Sequence, residues 1–395
     1  MPIEQERHNT FIVFAIFSIL CNTILNLDAI PILHYLFSIL RLIAVGYAFS
    51  LVLINFKVGK FTYLVFLFYV VLGATTFIHH GAFNIWTSRF INSLGLFILL
   101  YYSILRSPSN TIAILAQIFS VLIYINFFMM FIPPLGDILD GYLLGRNHNQ
   151  VGAKLLCGII TSCMAYDMRI KTFKSALILC MVCVITPLYI GSTTSSVGCI
   201  LASGFMLIPK DKVRRIIILT FFIFYVLFQS SVVFLGQDIS TQKAAVYLVE
   251  DVMGKDLTFT YRTVVWLKAY DKIEASPITG YGMRDDEWFS GEFLVLSAHN
   301  IILQLLLYGG IVLLATLILI ILITVVHSLK ERSRITDTAL FGLCTFFFMM
   351  MMENYNEILI FYLLFILYYS PIFSNVLKPI ELNQAEESIY EKSSH

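Results

Sequence analysis

The chain has 395 residues, 58% of them hydrophobic and only 13% charged, with a net charge of +1. An ordinary soluble domain carries roughly 25% charged residues. No soluble core of this length absorbs so much apolar surface, and the apolar residues fall in runs near the ~20 needed to cross a bilayer, so the solvent is lipid. Net charge is close to zero and no basic tract is interleaved with aromatics, which excludes nucleic acid as a partner.

Residues 1–10, which include Arg7, precede the first apolar run, and no small-residue cleavage site ends that run. It is expected to be retained as the first membrane helix. Apolar runs then predict about twelve spans, at 11–27, 32–55, 61–78, 89–106, 111–132, 152–168, 175–190, 192–208, 214–235, 299–326, 338–352 and 357–375. The expected fold is therefore all-α and polytopic, one transmembrane domain over 1–375. The seven cysteines lie almost entirely inside these runs without paired metal spacing and read as small core hydrophobes. Lys and Arg accumulate in short cytoplasmic loops. With the N-terminus inside, every inner loop is basic: Lys57 and Lys60; Arg106; Arg169, Lys171 and Lys174; Lys210, Lys212, Arg214 and Arg215; Lys330, Arg332 and Arg334. An even number of spans returns the C-terminus to the cytoplasm, where the Glu- and Ser-rich tail at 376–395 is expected to be disordered.

The outer side then holds two substantial loops, 133–151 and 236–298, the second being the only large hydrophilic segment. Six cations break the positive-inside pattern by mapping to the outer half: Arg41, Arg89, Arg146, Lys154, Arg262 and Arg284. Arg41 lies about ten residues into an apolar span, where a charge is costly unless it faces protein or an aqueous cavity. Two readings are open for it: a structural pair with Asp28 or Asp137, or a place in an outward pocket for an anionic headgroup, shared with Arg146 and Arg262. The loop Gly145-Arg146-Asn147-His148-Asn149-Gln150 is dense in donors where a helix begins. That chemistry suits either an anion or an ordinary capped turn. His79 and His80 have no third ligand at helical spacing, so no metal is expected.

In the large loop, Tyr261-Arg262-Thr263-Val264-Val265-Trp266 is followed by Ser276-Pro277-Ile278-Thr279-Gly280-Tyr281-Gly282, then Ala298-His299-Asn300 through Gln304 to Gly309-Gly310. An Arg just before a Trp, a Pro-x-x-Gly-x-Gly turn, and His-Asn opening a membrane helix with Gln and Gly resemble the O-antigen polymerase and O-antigen ligase superfamily. The resemblance covers residues 262–310. It implies a GT-C-like, metal-independent glycosyltransferase of the bacterial inner membrane that uses no cofactor. The implied substrates are undecaprenyl-pyrophosphate-linked oligosaccharides at the periplasmic face, amid membrane lipid and with a polysaccharide chain-length regulator as an expected partner. His299 is then the expected base for an acceptor hydroxyl, and Arg262 the group that neutralises the pyrophosphate leaving group. Arg41, Arg146, His148, Asn149, Arg284, Asn300 and Trp266 are the expected substrate-binding residues. Trp266 equally suits an interface anchor or a sugar platform, and the acidic cluster Asp285, Asp286 and Glu287 reads as a solvated surface, with binding of sugar hydroxyls or orientation of His299 as the alternatives. Where many relatives carry a Ser-Arg pair, this chain has Ser192-Thr193-Thr194-Ser195-Ser196, leaving an Arg role for Arg146 or Arg41.

The expected activity is an O-antigen or capsular polymerase that joins lipid-linked repeat units. A ligase transferring polymer to the lipid A core would use the same chemistry with another acceptor. A flippase or other transporter would spread polar groups along a path through the membrane, whereas here they crowd one face.

Overall fold

The structure is a computed structural model describing residues 2–27, 30–132, 142–234 and 262–376. Asp28, Asp137, Tyr261, the first part of the large loop and the tail from 377 lie outside the described residues. Those described form helices joined by short turns, with one isolated bridge between Tyr142 and Gly145 and no strand among them.

In chain order the helices are α1 (Pro2–Ile24), α2 (Pro31–Asn55), α3 (Lys60–Ile78), α4 (Phe83–Arg106), α5 (Pro108–Met129), α6 (His148–Asp167), α7 (Phe173–Tyr189), α8 (Thr193–Met206) and α9 (Asp211–Phe228). A π-helical turn, Gln229–Phe234, continues α9. Then come α10 (Arg262–Ala275), α11 (Asp286–Phe293), α12 (Ile301–Leu329), α13 (Arg334–Met349), α14 (Glu357–Tyr368) and α15 (Ser370–Asn375). Each expected span falls on a helix. Six helices are long and apolar enough to cross a membrane on their own, and shorter apolar helices accompany them.

Three boundaries depart from the hydropathy reading for local reasons. Helix α4 begins at Phe83, six residues before the expected start, because Trp86 donates its indole N–H to Tyr69 O at 2.8 Å and anchors a polar first turn. Helix α6 begins at His148 because the Asn147 side chain accepts from Gln150 N, satisfying an amide that would otherwise be orphaned. The last span breaks into α14 and α15 where Pro371 occupies the first turn of α15.

Helix α14 is the axis of the bundle: every residue from Glu357 to Tyr368 is buried. An all-round apolar helix belongs inside a larger assembly. Its Phe361 and Phe365 meet Phe68, Phe61 and Phe97 edge-on or tilted, and its Tyr362 hydroxyl pairs with Thr161 on α6. Helices α2 and α9, by contrast, present most of their surface outward. Lipid tails are as apolar as these side chains, so close packing and interhelical hydrogen bonds, rather than water exclusion, hold such a bundle.

The turns carrying Lys and Arg gather at one end. There Asp167, closing α6, binds Arg334 at 2.8 Å and Thr338 on α13, with Arg214 of α9 at 3.9 Å. Arg214 is 1% exposed and lies over the Phe205 ring. This knot fixes the basic ends of α6, α9 and α13, and so positions their opposite ends, where the site is built.

Candidate active site

The turn between α13 and α14 contains Glu353, a nearly buried carboxylate that sequence reasoning did not single out. Its Oε1 lies 2.9 Å from His299 Nδ1. Its Oε2 accepts from Asn149 Nδ2 at 2.7 Å and from Arg262 Nη2 at 3.3 Å. One acid thus joins the starts of α6, α10 and α12. Burial opposes ionisation of Glu353, but the His299 hydrogen bond, the charges of His299 and Arg262 and the backbone N–H of Asn354 outweigh it and hold the carboxyl below its ordinary range. An ionised carboxylate only accepts. In the neutral form of the imidazole the hydrogen therefore sits on Nδ1 and Nε2 carries the lone pair, on a side chain that is 25% exposed.

His299 has φ of 49°, a left-handed conformation uncommon for a residue with a Cβ. Such backbone costs on the order of 1–3 kcal/mol and persists only where surrounding bonds over-determine it. Here they do. Asn300 caps α12 by accepting from Ile302 N and Leu303 N, and its Nδ2 donates to Met351 O and Gln229 Oε1, while Gln229 Nε2 donates back to Asn300 Oδ1. Ile301 N bonds Met350 O at 3.1 Å, and Gln304 Oε1 accepts from Ala298 N at 2.9 Å. Asn300, fully buried, thus spends its amide on fixing the imidazole against the Glu353 turn.

Asn149 has its own support. Ser192 Oγ donates to Asn149 Oδ1 at 2.9 Å and lies 2.7 Å from Ser195 Oγ. The serine cluster, read in the sequence as an empty Arg position, is a hydroxyl network that aims the Asn149 amide at Glu353. His148, beside it, is exposed in the first turn of α6.

The other expected residues have contacts of their own. Arg146 lines a polar cavity with Lys154 beside the end of α1. Arg41 donates to Asn22 of α1 at 3.0 Å; Asp28 and Asp137, its other candidate partners, are outside the described residues. Arg284 donates to His79 O at 2.9 Å and lies 5.7 Å from the Trp288 ring, so it clamps the loop to the end of α3. His79 is bonded through Nε2 to Thr279. Trp266 is 3% exposed, packed in the core one turn from Arg262. Arg89, inside α4, closes on Glu357 at 2.7 Å. Asp285 caps α11, and the acid that orients His299 is Glu353 instead.

Compared with known proteins, residues 175–318 match the protein family described as O-antigen ligase. Over these residues the chain resembles that family. The match extends over a little more than a third of the chain, and the resemblance read at 262–310 falls wholly within it. The chain is thus similar, over that stretch, to the O-antigen ligase family. None of the curated proteins matches the chain.

Within the matched residues, the Pro-x-x-Gly-x-Gly turn has a partner that the sequence did not reveal. Helix α12 is broken at Gly309 and Gly310, whose φ values are −144° and 59°. The turn fills that break: Tyr281 N bonds Leu307 O at 2.7 Å and Ile311 N bonds Pro277 O at 2.9 Å. A Cβ on Gly310 would lie 2.2 Å from the Ile278 carbonyl, and one on Gly280 would lie 2.5 Å from Leu307 O. The two glycine sets let backbone meet backbone, and peptide groups freed by the break are satisfied by the turn. Asn149 and Glu353 lie outside the matched residues, yet they bond to the cluster that holds Arg262 and His299. The available signal for Glu353 was an acid among Met349 to Met352 at an outer helix end, where an unpaired carboxylate needs a cation.

Proposed function

We propose that the chain is an O-antigen or capsular polysaccharide polymerase, transferring undecaprenyl-pyrophosphate-linked oligosaccharide onto a second lipid-linked repeat unit at the periplasmic face of the inner membrane. The observation that carries the reading is the Glu353–His299 pair with Arg262 on the same carboxylate. His299 Nε2 takes the proton of an acceptor sugar hydroxyl, and Glu353 stabilises the imidazolium that forms. The hydroxyl oxygen bonds to the anomeric carbon as the bond from that carbon to the pyrophosphate oxygen breaks. The departing pyrophosphate takes the electron pair, and Arg262 stabilises its charge. Asn149 keeps the carboxylate aimed while the proton moves. The cations of the chain supply the charge compensation this step needs, with no cofactor in the scheme.

The basic turns face the cytoplasm and the site faces outward, supported by the concentration of Lys and Arg at the opposite end from Glu353. A ligase would keep every residue role and change only the acceptor, and the family match supports both readings alike. Two experiments separate the cases. His299→Ala in purified protein should lower transfer by 10²- to 10⁴-fold, the usual worth of a general base, with chelator making no difference; full activity would remove His299 as the base. In a deletion strain, a single repeat on the lipid core indicates a lost polymerase, whereas polymer stranded on its carrier indicates a lost ligase.

A further inference from the structure

Helix α6 presents two different faces at its site end. Asn149 turns toward Glu353. On the neighbouring face, Gln150 and Lys154, one helical repeat apart, and Arg146 from the preceding turn line a separate polar cavity of about 220 Å³, closed by Thr23 and Asn26 at the end of α1. A water takes about 30 Å³, so the space holds a phosphate together with part of its hydration.

Neither Arg146 nor Lys154 has a hydrogen-bond or ion-pair partner for its side chain among the described residues; the one contact of Arg146 is its backbone N–H to Gln150 Oε1. Among the described residues no acid lines the cavity. Elsewhere in this bundle three partly buried cations are answered by acids: Arg89 by Glu357, Arg262 by Glu353, Arg334 by Asp167. Two unanswered cations sharing one cavity repel each other, and Lys154 does so from the second turn of a membrane helix, where an uncompensated charge is expensive. The complement of such a site is a compact polyanion accepting charge-assisted bonds from both. Asn149 and Gln150 are consecutive residues of α6, so Glu353 and the cavity lie on neighbouring faces of one helix, on the order of a helix width, ~10 Å, apart.

We propose that the Arg146–Lys154 cavity is a second anion subsite, which takes the phosphate group of the sugar-accepting lipid-linked substrate while the donor's pyrophosphate lies at Arg262. This rests on the transfer reaction proposed above, which needs two glycolipids side by side. The spacing of one helix width keeps their phosphates apart while the acceptor sugar reaches His299.

Calorimetric titration of the purified full-length protein with inorganic pyrophosphate and with farnesyl pyrophosphate tests the proposal without requiring turnover. Two sites per chain are expected for the prenyl ligand. Lys154→Met removes one, and Arg262→Gln removes the other. Arg146→Gln, at an exposed side chain whose loss leaves folding intact, weakens the same site as Lys154→Met by about tenfold or more, as loss of a charged hydrogen bond does. Binding of inorganic pyrophosphate but not of the prenyl ligand would mean an adventitious ion only and would overturn the proposal. So would two undiminished sites in Lys154→Met and Arg146→Gln. Two sites surviving in Arg262→Gln, with one lost in Lys154→Met, would uphold the subsite while counting against the role of Arg262.

Discussion

Replacing Glu353 by Gln tests the site with almost no change in shape. The wild-type carboxylate accepts three times, from His299 at 2.9 Å, Asn149 at 2.7 Å and Arg262 at 3.3 Å. A glutamine amide has one accepting oxygen and one donating nitrogen. If its oxygen stays with Asn149 and Arg262, its NH₂ faces His299 Nδ1, which must then become the acceptor. The ring proton moves to Nε2, and the atom that should receive the acceptor's proton already holds one. The comparable change of a triad carboxylate to its amide costs about 10⁴ in turnover through the wrong tautomer, so turnover should fall by roughly 10²- to 10⁴-fold. Arg262 at the same time loses its neutralising partner, so donor binding should hold or tighten. The assay is single-turnover transfer between purified lipid-linked repeat units, with donor affinity measured separately and protein levels matched. Turnover within about threefold of wild type would refute the tautomer argument. Equal losses in turnover and donor binding would instead mark Glu353 as a structural clasp.

Gly310→Ala should fail to seat the turn at 277–281, because a Cβ meets backbone at 2.2 Å where φ is 59°; a cost well above ~1 kcal/mol is expected, read as lowered thermal stability with faster proteolysis between α10 and α12. Glu357→Gln leaves Arg89 charged inside the bundle, and breaking such a pair typically costs about 3–5 kcal/mol. Its melting temperature should fall sharply, and an unchanged melt would show that the pair contributes little. A cysteine at Ser290, exposed on α11, should react with impermeant reagent from the outer side in cells, and labelling only from the cytoplasm would reverse the orientation.

The spans were legible because lipid imposes a simple rule of length and hydropathy on each segment separately. Arg262 and His299 stood out as candidates because a short local pattern carries them, and the structure brings both to one carboxylate. Glu353 was not: it meets His299 across 54 residues, and nothing near it in the chain signals its partners. The same holds for Arg89 and Glu357, paired across 268 residues, where the outer-cation pattern grouped Arg89 with ligand-binding residues although it is internally paired. For Asn300 the motif marked the position, but its work lies in the capping and amide bonds behind the histidine. Serines at 192 and 195 were misjudged for a related reason, since a missing Arg drew attention from what small hydroxyls do there.

The seam between the turn at 277–281 and the break in α12 also bears on how the chain tolerates recombination. Peptide groups of one segment complete those of the other, so the two are inherited usefully only together. A chimera that exchanges the large loop alone would present a foreign turn to a native gap. Exchange of the whole stretch from Pro277 to Val312 carries both sides of the seam and leaves the sugar-facing surroundings free to vary. Diversity among chains that share this seam is then expected to be grafted around this unit, not through it.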